Sequence, residues 1–391
     1  MRHRAGLIAL ALLATPLVAA DEAPRFETSS IAARTRLGTA LNAGDAAGVE
    51  AAAMELAAMG GGLSKPSQER IAPLIKTDRR AALMANFDSN GAPLEVSRSY
   101  TTVPADQRLV EGIAYDSQLK RLFVATVVDG HLLVQDGANW RRIALPDGIG
   151  GLFGMAMDAQ RRRLWIAVGV AEPVADKSAI TPGVLEVNAD TLQLVDLKTM
   201  PAGAEGSPGD VAVGMDGTVY VSDGLKGGVY RCAPGCTILS ALVAPGGPIR
   251  SPQGMVPSRD GKALLVAGYG QGIARVDLAS GTLAWLAGKE PLMLDGIDGL
   301  VRSETGLIAI QNGTSPRRIV RIHLNAAETA VDHVEVLERA NKAWGEPTLG
   351  ALVGPDFVYV ADGQWEVWGE SGKPRDDQVP RATILRAIQV R

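Results

Sequence analysis

The spacing of apolar and polar residues changes near residue 90 of this 391-residue chain. Between residues 28 and 87, apolar side chains recur every three or four positions, which predicts amphipathic helices. Farther along, short runs of β-branched and aromatic residues alternate with glycine-containing turns, which predicts strands. The sequence therefore predicts a small α-helical extension over residues 21–91, followed by a strand-rich domain over residues 92–391.

Residues that favour helix starts and stops divide the extension. Ser29 or Ser30 is suited to cap the first helix, and Asp45 is suited to cap the second. A third helical stretch follows Ser67 and is limited or kinked by Pro73. We interpret these segments as a small helical hairpin that caps the main domain. Docking of a partner on this hairpin is the alternative interpretation.

One sequence unit recurs six times from residue 109 onward. Each copy begins with an apolar segment containing glycine or aspartate, and a turn and a β-prone strand follow. The anchor residues of the six copies are Gly112, Gly154, Asp210, Gly254, Gly299 and Gly350, at spacings of 42, 56, 44, 45 and 51 residues. A period near 45 with several strands per unit is typical of propeller blades. The predicted fold class is all-β, a six-bladed β-propeller, in preference to an open sandwich or two smaller β domains.

The two ends of the propeller region complement each other. The sixth unit is one strand short, and residues 94–100 form a β-prone segment that precedes the first unit and has no blade of its own. We predict that this segment completes the sixth blade. Such pairing closes the ring and removes an exposed sheet edge.

The geometry of a blade predicts where a functional site lies. The first strand of each four-stranded meander lines the central channel, so the residue before each anchor faces one mouth of that channel. These residues are Glu111, Phe153, Gly209, Gln253, Asp298 and Leu349. Glu111 and Asp298, with Gln253 between them in blade order, predict an oxygen-rich site for Ca²⁺ or another hard divalent cation. In the alternative interpretation, the two carboxylates bind water and backbone groups in a wet channel.

Two long insertions join second and third strands at the same face, at residues 170–182 and 363–381. The second carries Trp365 and Trp368, which either wall a ligand pocket or pack the loop onto the propeller. The polar residues that end second strands are more typical of turns than of ligand binding: Asp223, Asn312 and Asp362.

Three short motifs at the channel positions point to a family. They are Glu111-Gly112-Ile-Ala-Tyr-Asp116, Ser251-Pro-Gln-Gly-Met255 and Ile297-Asp298-Gly299. They resemble the E-G-P-x-W-D, S-N-G and P-D-G motifs of the SMP-30/gluconolactonase/LRE-like region, whose members are six-bladed propellers and include metal-dependent lactonases. The resemblance implies Glu111, Gln253 and Asp298 as metal ligands, and Asp298 also as the catalytic general base.

The resemblance implies an activity, and two departures from it favour another function. A bound divalent metal, with Ca²⁺ the expected ion, would polarise the carbonyl of a lactone or related ester, and Asp298 would take a proton from water. Gly209, however, stands where the family has an Asn near metal and substrate, and Gln253 replaces an Asn. These departures favour a non-catalytic periplasmic propeller that binds a small-molecule ligand or a protein. A quinone-dependent sugar dehydrogenase is a third hypothesis, but the mouth lacks the basic and histidine residues expected of one.

The first twenty residues are typical of a cleaved secretory signal. Arg2 and Arg4 make the start basic, Leu7 to Val18 is a short apolar run, and small residues precede Asp21. We therefore expect residues 1–20 to be a signal peptide and the protein to be periplasmic or secreted, without a membrane segment after cleavage. A retained anchor is the alternative.

Charge and cysteine content narrow the set of partners. Loss of Arg2 and Arg4 takes the formal charge from −4 to −6, and Lys/Arg clusters are absent, so nucleic acid is not an expected partner. Cys232 and Cys236 flank a Pro-Gly turn, which predicts a local disulfide in an oxidising compartment, with free thiols as the alternative.

Overall fold

The computed structural model describes residues 28–177, 180–375 and 378–391, so the expected signal peptide at 1–20 lies outside the described residues. Four α-helices precede the strands in the described part: α1 (Ser30–Ala43), α2 (Ala46–Ala58), α3 (Lys65–Ile71) and α4 (Thr77–Gly91). A 3₁₀ turn, Ala72–Leu74, links α3 to α4. No helix in the described residues is long and apolar enough to cross a membrane.

The predicted caps of the first two helices are confirmed. The Ser29 side chain accepts from the N–H of Ala32, and the Asp45 side chain accepts from the N–H of Gly48. The third helix begins earlier than predicted, with Ser64 as its cap, because Pro66 is compatible with a first helical turn. The extension is larger than the predicted helical hairpin, because α4 adds a fourth helix to it.

All the described strands belong to six four-stranded antiparallel sheets. The strand before the first blade and the strands of blades one and two are β1 (Arg98–Val103), β2 (Val110–Asp116), β3 (Arg121–Thr126), β4 (Leu132–Asp136), β5 (Asn139–Ile143), β6 (Gly151–Asp158), β7 (Arg163–Gly169), β8 (Gly183–Asn188) and β9 (Leu194–Thr199). Blades three and four contain β10 (Pro208–Val213), β11 (Val219–Asp223), β12 (Gly228–Cys232), β13 (Ser240–Val243), β14 (Pro252–Pro257), β15 (Ala263–Gly268), β16 (Gly272–Asp277) and β17 (Leu283–Trp285). Blades five and six contain β18 (Ile297–Arg302), β19 (Leu307–Gln311), β20 (Arg318–Leu324), β21 (Val331–Arg339), β22 (Gly350–Val353), β23 (Asp356–Val360) and β24 (Thr383–Gln389). The predicted six-bladed propeller is confirmed.

The sixth blade joins two distant parts of the chain, as predicted. Its strand order is β22-β23-β24-β1, and β1 runs antiparallel to β24, with Val103 opposite Thr383. The closing strand begins later in the chain than predicted. β1 starts at Arg98, whereas Leu94 forms an isolated bridge with Arg339 of blade five. An ion pair of 2.6 Å between Arg98 and Asp356 adds to the closure.

The recurring glycine of the first strands has a packing cause. A Cβ at Gly112 would overlap the carbonyl oxygen of Phe153 in the next blade, and one at Gly299 would overlap that of Thr348. A Cβ at Gly254 would likewise overlap the backbone N of Leu300. The first strands of neighbouring blades therefore lie backbone against backbone around the channel, which requires glycine at the contact.

The apolar core fills the spaces between blades and continues into the helices. Leu265, Ile297 and Leu307 are among the fully buried residues between blades four and five. The helices have their own cluster, which includes Leu56 and Phe87 and also the propeller residue Met293. Burial of such side chains contributes about 1.5–3 kcal/mol each. The helices are thus packed onto the propeller rather than tethered to it.

A buried carboxylate connects the start of α1 to blade five. Asp295 Oδ2 accepts from the hydroxyls of Ser29 (3.2 Å) and Ser30 (3.1 Å) and from the backbone N–H of Ile31 (2.8 Å). Asp295 is fully buried, and the positive end of the helix dipole favours a carboxylate at this place. The Cys232–Cys236 disulfide is also present, which confirms the local pairing predicted from the sequence.

Candidate functional site

Local irregularities in the first strands aim side chains into the channel. The pairing register shifts in five of the described first strands: between Val110 and Gly112, Leu152 and Met155, Pro208 and Val211, Pro252 and Met255, and Ile297 and Leu300. Such bulges turn individual residues out of the regular alternation, and they are common beside active sites. The residues predicted to face the channel mouth lie within or beside these shifts.

One cavity of about 450 Å³ collects these residues. All six predicted channel residues line it: Glu111, Phe153, Gly209, Gln253, Asp298 and Leu349. The structure adds five polar or acidic residues that the sequence analysis did not place there: Ser207, Asp210, Tyr269, Asn312 and Glu346. The channel mouth is therefore a single acidic pocket.

Glu111 is held against the insertion of blade six. Its Oε2 accepts a 3.0 Å hydrogen bond from the indole N–H of Trp365, and the residue is only 6% exposed. Burial raises the pKa of Glu111 well above its ordinary value, and the charges of Asp298 and Asp210 raise it further, whereas the bond from Trp365 lowers it. Trp365 thus lines the pocket, as one of the two interpretations of the insertion expected.

Asp298 ends a chain of hydrogen bonds. The amide of Asn312 donates to its Oδ2 at 2.6 Å, and the hydroxyl of Tyr269 donates to Asn312 Oδ1 at 2.9 Å. Asp298 faces the cavity but is otherwise surrounded by protein. Burial therefore raises its pKa to about 7, Asn312 opposes that shift, and the charge of Glu346 adds to it. The chain orients the Asp298 carboxylate and leaves its other oxygen for a ligand.

Asp210 is a third acidic group in the pocket. Burial and the charge of Asp298 raise its pKa well above the ordinary value. Its backbone N–H donates to Ser222 Oγ at 2.8 Å, which fixes the bulge. Gly154 of blade two makes room for its carboxylate, because a Cβ at Gly154 would overlap Asp210 Oδ1. Asp210 occupies an anchor position, so only the packing of neighbouring blades reveals that its side chain reaches the mouth.

The two residues that depart from the family motifs differ in what they offer. Gln253 Nε2 donates to Ser251 Oγ at 2.9 Å, which leaves the side-chain Oε1 as its acceptor. Gly209 contributes no side chain, and a Cβ there would meet only Ser222 Oγ, at 3.5 Å. At Gly209 the pocket therefore has open space where the resemblance implies the side-chain amide of an Asn.

The other rim residues separate into turn formers and packing residues. Asp223 Oδ1 accepts from three backbone N–H groups, and Asp362 Oδ1 accepts from those of Glu346 and Gln364, so both hold turns as predicted. Trp368 is 3% exposed and does not line the pocket. Its ring lies 5.6 Å from the Arg108 guanidinium, so this tryptophan packs the insertion onto the propeller.

Comparison with known proteins gives the fold. No protein-family model and no curated protein matches the chain. The gluconolactonase of Xanthomonas campestris aligns with a TM-score of 0.50 at 15% identity, over 76% of this chain and 97% of that chain. The fold is shared with a gluconolactonase. A Bacteroides thetaiotaomicron protein of unknown function aligns with a TM-score of 0.51 at 10% identity, over 76% of each chain. At these identities the likeness is one of fold alone.

The side chains that line the cavity limit which ion it can bind. No lysine or arginine lines the cavity, so nothing among its described walls neutralises the carboxylates of Glu111, Asp210 and Asp298. Within the described residues, no three His, Cys, Asp or Glu side chains form a metal-binding group. A cation here would therefore use two carboxylates, the Gln253 carbonyl and water oxygens. Ca²⁺ accepts such a mixed oxygen set, so the residues fit this ion better than zinc.

Proposed function

We propose that the channel mouth is a divalent-cation site, with Ca²⁺ the favoured ion, at which a lactone or related ester is hydrolysed. The observation that carries the proposal is a set of buried carboxyl groups in one cavity without a cationic side chain. Each of these groups has a raised pKa because burial and mutual repulsion disfavour its charge. A divalent cation would remove both causes, and pockets that perturb acidic groups in this way are frequent at functional sites.

The roles of the residues follow from their positions. Glu111, Asp298 and Gln253 would hold the cation, with Asp210 close enough electrostatically to add attraction. When bound, the cation supplies Lewis-acid polarisation of the carbonyl oxygen. Asp298 would accept a proton from the water that attacks the carbonyl carbon and return it to the alcohol oxygen as the ester C–O bond breaks, and Asn312 keeps its carboxylate oriented through the 2.6 Å hydrogen bond.

We also propose that the protein acts outside the cytoplasm, after cleavage of residues 1–20. The Cys232–Cys236 disulfide supports this location, because disulfides persist in oxidising compartments and are rare in the cytosol. Expression of the full chain with fractionation of the cells tests the location directly. A mature mass that lacks residues 1–20 in the periplasmic fraction is the expected result, and intact chain in the cytoplasm would contradict it.

A second function is favoured by the departures at the mouth. Gly209 provides no amide, and Gln253 is bonded to Ser251, so the pocket has fewer polar groups to orient a reacting substrate. A propeller that binds a small molecule without converting it is consistent with these features. Cation binding and turnover must therefore be measured separately.

Calorimetry of Ca²⁺ binding tests the site on the purified mature protein and on Asp298→Ala, with Asp332→Ala as the control at an exposed aspartate. We expect wild type and control to bind Ca²⁺ and Asp298→Ala to lose binding while keeping the wild-type circular dichroism. A pH-stat assay on a panel of lactones should show Ca²⁺-dependent hydrolysis that falls about 10²–10⁴-fold in the variant.

The results of the calorimetry and the hydrolysis assay distinguish the catalytic from the non-catalytic function. Binding that depends on Asp298 but is accompanied by no hydrolysis favours the non-catalytic function. No heat of binding in a folded wild-type protein would overturn the cation site, and the hydrolase with it.

A further inference from the structure

The walls of the channel mouth carry two chemically different kinds of side chain. Carboxyl groups come from the first strands of blades one, three and five, and apolar side chains line much of the rest of the cavity, among them Phe153, Val170, Ala171, Leu225, Leu349 and Trp365. The rings of Phe153 and Trp365 stack with centroids 6.5 Å apart. This aromatic pair adjoins Glu111, which accepts from the Trp365 indole.

The neutral polar side chains of the cavity, apart from the Gln253 oxygen that is assigned to the cation, are already engaged within the protein. Ser207 Oγ donates to the carbonyl of Val170 at 2.9 Å and accepts from the N–H of the same residue. Tyr269 donates to Asn312, and Asn312 donates to Asp298. A polyhydroxylated ligand needs a partner for each buried hydroxyl, and each unpaired one weakens binding. With the carboxylates occupied by a cation, this pocket offers few such partners.

Charge and space restrict the ligand further. No lysine or arginine lines the cavity, so an anionic substituent would meet only like charges from the side chains around the cation. Gly209 leaves open space at the floor, and its backbone lies outside the left-handed region, so the absent side chain is not a requirement of the turn. A bulky neutral group fits this space.

We propose that the ligand of this site is a neutral lactone or ester with an alkyl or aryl body, and not a sugar lactone. This inference rests on the proposed function for the carbonyl end of the ligand. The body would contact the stacked pair of Phe153 and Trp365 and the space beside Gly209, while its carbonyl faces the carboxyl groups that would hold the cation.

The test compares an aryl lactone, dihydrocoumarin, with glucono-δ-lactone in the presence of Ca²⁺. We expect kcat/KM to be at least about 100-fold higher for the aryl lactone. Binding is measured independently with the corresponding lactam, 3,4-dihydro-2-quinolinone, whose amide resists hydrolysis, and tryptophan fluorescence reports the contact with Trp365.

Two variants locate the ligand. Gly209→Leu should weaken lactam binding at least tenfold by filling the open space, with no change in Ca²⁺ affinity, and Gly209→Ala should have a smaller effect in the same direction. Gly38→Leu is the matched control, because Gly38 lies in α1 with nothing within 4 Å of an added Cβ. It should leave lactam binding unchanged.

The possible results separate this inference from the proposed hydrolase. A preference for glucono-δ-lactone would overturn the apolar ligand and leave the hydrolase standing. Lactam binding that Gly209→Leu removes, without turnover of any lactone, would support the ligand class and overturn the hydrolase. Failure of both the lactam and the aryl lactone to interact would overturn the inference.

Discussion

At the scale of single residues, the acidic side chains of the channel mouth are in an unfavourable state when they are charged. Burial raises the pKa of Asp298 to about 7, and the pKa values of Glu111 and Asp210 are also raised. The folded protein therefore binds protons at these groups more tightly than the unfolded chain does. The resulting stabilisation is present at low pH and is lost as the pH rises toward and beyond 7.

Asp298→Asn should remove part of this pH dependence. In the presence of a chelator, the thermal midpoint of the wild type should fall between pH 5 and pH 8. The variant should lie a few degrees above the wild type at pH 8 and close to it at pH 4, near the unfolded pKa, because it carries no charge at this position at either pH. Differential scanning calorimetry measures both, with Asp332→Asn as an exposed control. Equal slopes for wild type and variant would contradict the buried, ionisable state of Asp298.

The site residues that could be predicted from the sequence differ from those that could not in what determines their position. Glu111 and Asp298 were predictable because each precedes a repeated anchor, and the repeat fixes which strand faces the channel. Asn312 also ends a strand, but a strand-ending Asn looks the same whether it holds a turn or donates to a carboxylate in the same blade. Its contact with Asp298 depends on how β18 and β19 are bulged, and that information is not contained in the spacing.

At the scale of elements, the start of α1 and the loop before β18 form one unit. Asp295 binds Ser29, Ser30 and the N–H of Ile31, and it lies three residues before Asp298 in the chain. The next residue, Gly296, donates its N–H to the carbonyl of Tyr269, another residue of the cavity. The helical extension therefore fixes the segment that leads to Asp298 in the channel mouth.

Asp295→Ala should loosen this connection. It removes the acceptor of the Ser30 hydroxyl and of the Ile31 amide, and one of the two acceptors of the Ser29 hydroxyl, and each buried donor left unpaired costs about 1–3 kcal/mol. Hydrogen exchange should become faster at the first turn of α1, and little change is expected there for Asp277→Ala, a half-buried aspartate whose hydrogen bonds lie within its own turn. Unchanged exchange in α1 would show that Asp295 does not hold the helix to the propeller.

At the scale of the whole molecule, closure of the ring depends on β24, which lies between β23 and β1. Leu385 is completely buried on one face of this strand, whereas its neighbour Ile384 is 42% exposed on the other. The two positions provide a matched test of closure within a single strand.

Leu385→Ala should lower the free energy of unfolding by about 2–5 kcal/mol, and Ile384→Ala by less than about 1 kcal/mol. Urea denaturation followed by tryptophan fluorescence measures both. If closure of blade six is needed for the ring, the whole transition moves to lower urea in Leu385→Ala. A separate early transition, with the main one unmoved, would show that blade six unfolds on its own.

The pairing of β1 with β24 has a consequence during translation. Val103 and Thr383 face each other across the closed blade but are separated by 280 residues of sequence. At about 5–20 residues per second, a ribosome needs roughly 15–55 s to synthesise the intervening chain. Until β24 is synthesised, β1 has no strand to pair with. All the strands of blades one to five are made before that point. A chaperone that protects the emerging chain would therefore find its most persistent target in the first strand to be made.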